Sequence, residues 1–230
     1  MKILCLVLIS IPLISLAGIL WEDNFDSYRE GSRLLQTGKW GVWRYYDNAK
    51  ICKDPLNNGL AVRVLSMSCY YAKAGSMNPN MKVSISIDDM ADHGTGYFGL
   101  TTRFSDSNWY MLLCEKDHAS KMILSAEIYY FNGGNWNLLA KKEINKEIKT
   151  ISLKAEGRNP VNITAYLDDI LIETIDSYYM PERGYGGIIY DGCCMCSPYF
   201  ILDDFVEEGD PSDKVNIDTT SFGNIKALFK

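Results

Sequence analysis

Residues 96–117 read GYFGLTTRFSDSNWYMLLCEKD. Apolar and polar side chains alternate along GYFGLTTRFS and again along WYMLLCEKD, and the SDSN between them has the composition of a turn. A period of two marks a half-buried strand, because successive strand side chains point to opposite faces. Two such runs about a short polar turn read as neighbouring antiparallel strands.

The same period continues outward in both directions. LAVRVLSMSCYY and MKVSISIDDM precede the pair; KMILSAEIYYF, WNLLAKKEI, IKTISLKAEG, VNITAYLDD, ILIETIDSY, GGIIYD and YFILDDFVEE follow it. Turn chemistry separates them: DHGTG, NGGN, EGRNP, LDD and PERGYGG. NGG at 132–134 and the Asp168–Asp169 pair are signals for two-residue hairpins. A helical period surfaces only as a weak turn around Lys141–Lys149. So many short strands at this spacing predict an all-β fold, a two-sheet antiparallel β-sandwich or jelly roll over residues 18–208, and not a parallel α/β sheet.

The first 17 residues read differently. MKILCLVLISIPLISLA carries one Lys, then an apolar run, then small residues at 15 and 17, the layout of a secretory signal peptide cleaved after Ala17. A lipidated cysteine would have to sit at Ile19, so lipid anchoring is not expected. If uncut, the uncharged stretch Ile3–Trp21 is just long enough to span a bilayer, which is the one route to a membrane. Residues 209–230 begin as a polar linker and end in a weakly apolar segment suited to docking or to serving as a donor strand. The formal charge of −6 argues against nucleic acid or anionic lipid as a partner.

An extracellular setting bears on the cysteines. Beyond Cys5 in the leader, six remain: Cys52, Cys69, Cys114, Cys193, Cys194 and Cys196. An even count outside the cytoplasm favours disulfides, with Cys52–Cys69 and Cys114 joined to one of the CCMC group as the expected pairs. Metal binding through thiolates and redox chemistry remain the competing readings.

Along residues 22–208 the segments GLTTRFSDSNWY, TAYLDD and YFILDDF, with the opening WEDNFDSY, resemble the concanavalin A-like lectin/glucanase superfamily. Within it they are most similar to the laminin G-like and sugar-binding jelly rolls and the 3-keto-disaccharide hydrolase-type domain. The resemblance implies two antiparallel sheets, one concave and used for polysaccharide, with WEDNFDSY pairing beside the closing strand. It also implies a structural Ca²⁺ between the first and last strands, for which Asp23, Asp26, Asp203 and Asp204 offer hard oxygen ligands. Solvated charge on edge strands is the simpler reading of the same acids.

Glucanases of that superfamily place three carboxylates along one strand. The nearest match here, Glu115 and Asp117, lacks the third at 119 and 120, so no acid is left to protonate a leaving oxygen. No GxSxG, HExxH or phosphate-cradling loop occurs, and His93 and His118 lie in turn-like segments. Sugar binding asks instead for rings to stack on pyranose faces with amides nearby. Trp109, Tyr130, Asn132, Asn135, Trp136 and Tyr185 are the candidates, the tip around Trp136 above all. Asn162 heads an N-x-T glycosylation sequon. Three readings stand: a secreted non-catalytic glycan-binding sandwich, a self-associating subunit of an extracellular filament, sheath or surface layer, and a glycoside hydrolase.

Overall fold

The structure, a computed structural model, describes residues 18–45, 47–65, 68–105, 107–176, 183–192 and 199–209. The leader, the tail and Cys193, Cys194 and Cys196 lie outside them. Among the described residues no helix is long and apolar enough to cross a membrane.

The described residues form fifteen strands. The early ones are β1 (Gly18–Asp23), β2 (Gly41–Tyr45), β3 (Lys50–Lys53), β4 (Leu60–Val64) and β5 (Ser68–Tyr71). The central ones are β6 (Met81–Met90), β7 (Gly96–Phe104), β8 (Asn108–Lys116), β9 (Ile123–Asn132) and β10 (Asn135–Lys146). The closing ones are β11 (Thr150–Glu156), β12 (Val161–Leu167), β13 (Ile170–Asp176), β14 (Tyr185–Gly192) and β15 (Phe200–Gly209). The first sheet has the order β13-β12-β11-β6-β15-β4-β3, with β1 also paired to β15. The second runs β10-β9-β8-β7-β14-β5-β2. The pairing of β1 with β15, from Asp23↔Phe205 to Gly18↔Gly209, is the arrangement the resemblance implied.

The two faces of each strand follow its period. In β6, Met81, Val83, Ile85 and Ile87 turn into the space between the sheets, while Lys82, Ser84 and Ser86 alternate with them as half-buried positions. Facing residues come from β11 and β12 (Ile151, Leu153, Ile163, Ala165) and from β8 and β9 (Tyr110, Leu112, Ala126, Ile128). Burying each large aliphatic or aromatic side chain there stabilises the fold by about 1.5–3 kcal/mol.

Both expected hairpins form. Gly133 and Gly134 take φ of 57° and 113° between Asn132 and Asn135, and Asp168 takes φ of 51° between Leu167 and Ile170. Asp tolerates that left-handed conformation because its carboxylate is used locally: Oδ1 accepts from Thr150 N at 2.8 Å and Thr150 Oγ1 at 3.0 Å.

Three expectations need correction. The run LAVRVLSMSCYY is two strands, β4 and β5, in different sheets. The segment at 141–149 is largely strand: β10 continues to Lys146, and Lys142 Nζ and Thr174 Oγ1 tie it to β13 in the other sheet. Its weak helical look came from an edge strand with one exposed face, where charge patterning is free. The third concerns sulfur. Cys52, Cys69 and Cys114 all carry free thiols, with Cys52 in the first sheet and Cys69 in the second, so neither expected bridge from these residues is formed. Complete burial pushes the Cys69 and Cys114 thiols far above their usual range, as inert apolar fillers.

Candidate functional site: the outer face of the second sheet

On β8 the inward residues are Tyr110, Leu112 and Cys114, and they alternate with Trp109, Met111 and Leu113 on the other side. These outward residues join a second apolar cluster that shares no member with the core: Cys69, Phe104, Phe131 and Ile189, edged by Trp43, Tyr71, Tyr97, Tyr129 and Tyr185. A sheet face turned away from the core ordinarily carries polar side chains. This one carries rings.

Strand register arranges them in rows. Trp109, Phe131 and Trp136 stand opposite one another across β8, β9 and β10. Trp109 stacks on Phe131 at 4.0 Å between centroids, and Trp136 meets Phe131 edge-on at 6.2 Å. Phe104 adjoins Trp109 at 4.9 Å and stacks on Tyr71 at 5.1 Å, which in turn lies 5.5 Å from Tyr185. Trp43 belongs to the edge strand β2, with β5, β14 and β7 between it and β8. In a flat sheet that separation is roughly 19 Å at about 4.8 Å per strand. Trp43 nevertheless meets Trp109 at 4.4 Å, so the sheet curls and this face is concave. Trp109 is fully buried as a result, whereas Trp136 is 42 % exposed at the rim.

The far end of the same face is polar. Beyond a row of Thr101, Met111, Tyr129 and Leu138 runs one of Ile189, Gly99, Leu113, Glu127 and Lys141, and beyond that one of Asp191, Tyr97, Glu115 and Ser125. Glu127 accepts from Lys141 Nζ at 2.7 Å and from the Tyr129 hydroxyl. Despite its burial, those two donors hold its carboxyl below the usual range. Glu115 accepts from Ser125 Oγ at 2.9 Å. Burial pushes the Asp191 carboxyl up. Burial, then the nearby Glu115 and Glu127 charges, raises the Tyr97 phenol. The arrangement is a curved aromatic wall beside a network of carboxylates, hydroxyls and one half-exposed ammonium.

Trp109, Trp136 and Tyr185 fall on this face, with Asn132 and Asn135 at the hairpin tip beside it. Tyr130 does not: it packs in the core and donates to Asn108 Oδ1 at 3.0 Å, and Tyr129 takes the outward position. The hairpin decides this parity, since Asn132↔Asn135 sets Phe131 opposite Trp136 and places 129 and 131 on one side. Trp43, Tyr71, Phe104, Glu127, Lys141 and Asp191 were missed; seeing them requires the strand order, which no local pattern encodes. Asp117 is not a partner for Glu115: its Oδ2 caps the following turn through Ala119 N and Ser120 Oγ. Asn162 is exposed on the outer face of β12, as a sequon requires.

The four acids suggested for Ca²⁺ do not come together as one group. Asp23 is buried and accepts from Phe25 N, the Tyr28 hydroxyl and Trp40 Nε1, which commits both its oxygens to the fold. Asp26 holds Leu60 N at 2.7 Å. Asp23 and Asp204 line one cleft of about 310 Å³ with Glu22, Asn24 and Lys39, an ammonium being a poor neighbour for a cation. Asp203 instead groups with Asp54 and Asp88, a set in which none of the other three takes part.

No family model and no curated protein matches this chain. Solved structures do. The carbohydrate-binding module CBM66 from Bacillus subtilis superposes with a TM-score of 0.51 at 17% identity, over 74% of this chain and 96% of that one. A non-specific endo-β-1,3(4)-glucanase of family GH16 gives 0.52 at 10% identity, over 84% and 91%. A xylan β-1,4-xylosidase from Bacillus halodurans gives 0.53 at 12% identity over 82% of this chain, which spans only 39% of that enzyme. At such identities the likeness is one of fold. What is shared is the fold, a two-sheet antiparallel jelly roll.

Proposed function

We propose that this protein is a secreted, non-catalytic glycan-binding β-sandwich, and that the concave outer face of the second sheet is its binding surface. The supporting observation is the exposed Trp136 ring beside the Glu127–Lys141–Tyr129 network on that face. A pyranose has an apolar face that stacks on such a ring and a rim of hydroxyls that exchange hydrogen bonds with carboxylates and amides. A fold used for carbohydrate by its structural neighbours adds to this reading without fixing the ligand.

A screen of the whole chain against a broad polysaccharide and glycan panel tests the reading. Binding to at least one class is expected, with Trp136→Ala weakening it about two- to thirteenfold while leaving the circular dichroism spectrum intact, since a stacked ring is worth about 0.5–1.5 kcal/mol. Silence across the panel, or binding indifferent to Trp136, would remove it.

A second reading has one observation in its favour. Asp191 and Glu115 flank Tyr97 across adjacent strands, and burial holds the Asp191 carboxyl up, as a general acid requires. Hydrolysis of a panel glycan that Asp191→Asn abolishes, without loss of binding, would establish it over the first.

A further inference from the structure

On the outer face of the first sheet, away from the aromatic face, three acidic side chains converge. Asp54 follows β3, Asp88 lies in β6 where its register with β15 slips, and Asp203 lies on β15 just before a second slip. One carboxylate oxygen from each lies within 4.8 Å of the other two. Asp54 is only 5% and Asp203 6% exposed. Asp54 Oδ1 accepts from Leu56 N at 2.7 Å and Asp203 Oδ1 from Asp204 N at 2.8 Å. Asp54 Oδ2 and Asp88 Oδ2 are buried with no hydrogen-bond donor at all. Buried carboxylate oxygens without a partner are costly, and three acids together compound the cost.

Among the described residues no lysine or arginine forms an ion pair with these three carboxylates. The cation that Asp88 senses is Lys149, whose Nζ is paired with Glu147 at 2.6 Å. The neighbouring Asp89 is already engaged by Lys121 Nζ at 2.6 Å and the Tyr199 hydroxyl at 3.0 Å.

We propose that Asp54, Asp88 and Asp203 form a divalent-cation site selective for Ca²⁺. Oxygens on opposite sides of a Ca²⁺ ion, at about 2.4 Å each, stand about 4.8 Å apart, so one ion can reach all three carboxylates. The donors are all hard oxygens, which suits Ca²⁺ rather than a soft metal. An irregular cluster drawn from a loop and two slipped strands also suits the loose coordination of Ca²⁺ better than the strict octahedron of Mg²⁺. Bound there, the ion joins the β3–β4 connection to the two central strands of the first sheet.

Thermal unfolding of the whole chain at pH 7.5 tests this. With 1 mM CaCl₂ the midpoint should rise by about 5 °C over EDTA, and with MgCl₂ by much less. Asp203→Asn and Asp54→Asn should abolish the rise, while Asp204→Asn keeps it. In EDTA, Asp203→Asn should melt no lower than the unmodified chain, because one repelling charge is gone, which shows that the variant folds. Calorimetric titration of the unmodified chain should give one Ca²⁺ per molecule at this site. No rise and no binding heat, or a rise that survives both substitutions or disappears with Asp204→Asn, would overturn the proposal.

Discussion

The carboxylate of Asp23 accepts three hydrogen bonds at the end of β1, from Phe25 N, the Tyr28 hydroxyl and Trp40 Nε1. Around it Trp21, Phe25, Trp40 and Phe205 pack ring against ring, with Trp40 and Phe205 at 4.9 Å. The Tyr28 phenol is raised well above its usual range by burial and by this carboxylate. An acid that reads from sequence as a metal ligand is therefore a structural acceptor. Asp23→Ala should destabilise the fold by about 3 kcal/mol in urea unfolding, because three donors lose their acceptor at a buried site. A change below about 1 kcal/mol would mean that water reaches the site and replaces the carboxylate.

At the scale of elements, the close approach of β7 and β8 depends on Gly99. A Cβ there would lie 1.8 Å from the Leu112 carbonyl oxygen. Gly99→Ala should cost about 3 kcal/mol and lower sugar affinity as well, since separating these strands shifts the row from Leu113 to Lys141. Chemical denaturation read beside a binding assay checks both. The strands themselves were legible. MKVSISIDDM is β6 in full, and the NGG and Asp168–Asp169 turns fall where the sequence places them. Alternation carries that information because one face of each strand must meet the core. β2 and β3 were not legible: GVWRY and KICK are short, and the former alternates against two apolar surfaces instead of one. For the same reason the rings of β8 read as core or rim without distinction, and only the strand order reveals a second apolar layer.

Across the whole molecule the two sheets divide the work. The first presents mostly polar side chains outward, with scattered apolar ones such as Ile175. The second turns a curved aromatic face outward and grades from Trp136 at one side to Glu115 and Asp191 at the other. Asp54, Asp88 and Asp203 lie at the first sheet and the proposed glycan-binding face on the second, so loss of cation should lower stability without abolishing recognition. The central claim is that the outer face of the second sheet, and no other surface, recognises glycan. Hydrogen–deuterium exchange with and without a bound oligosaccharide tests it most directly. Protection is expected in β8, β9 and β10 and the 132–135 turn, with β11, β12 and β13 unchanged; protection centred on the first sheet would contradict it.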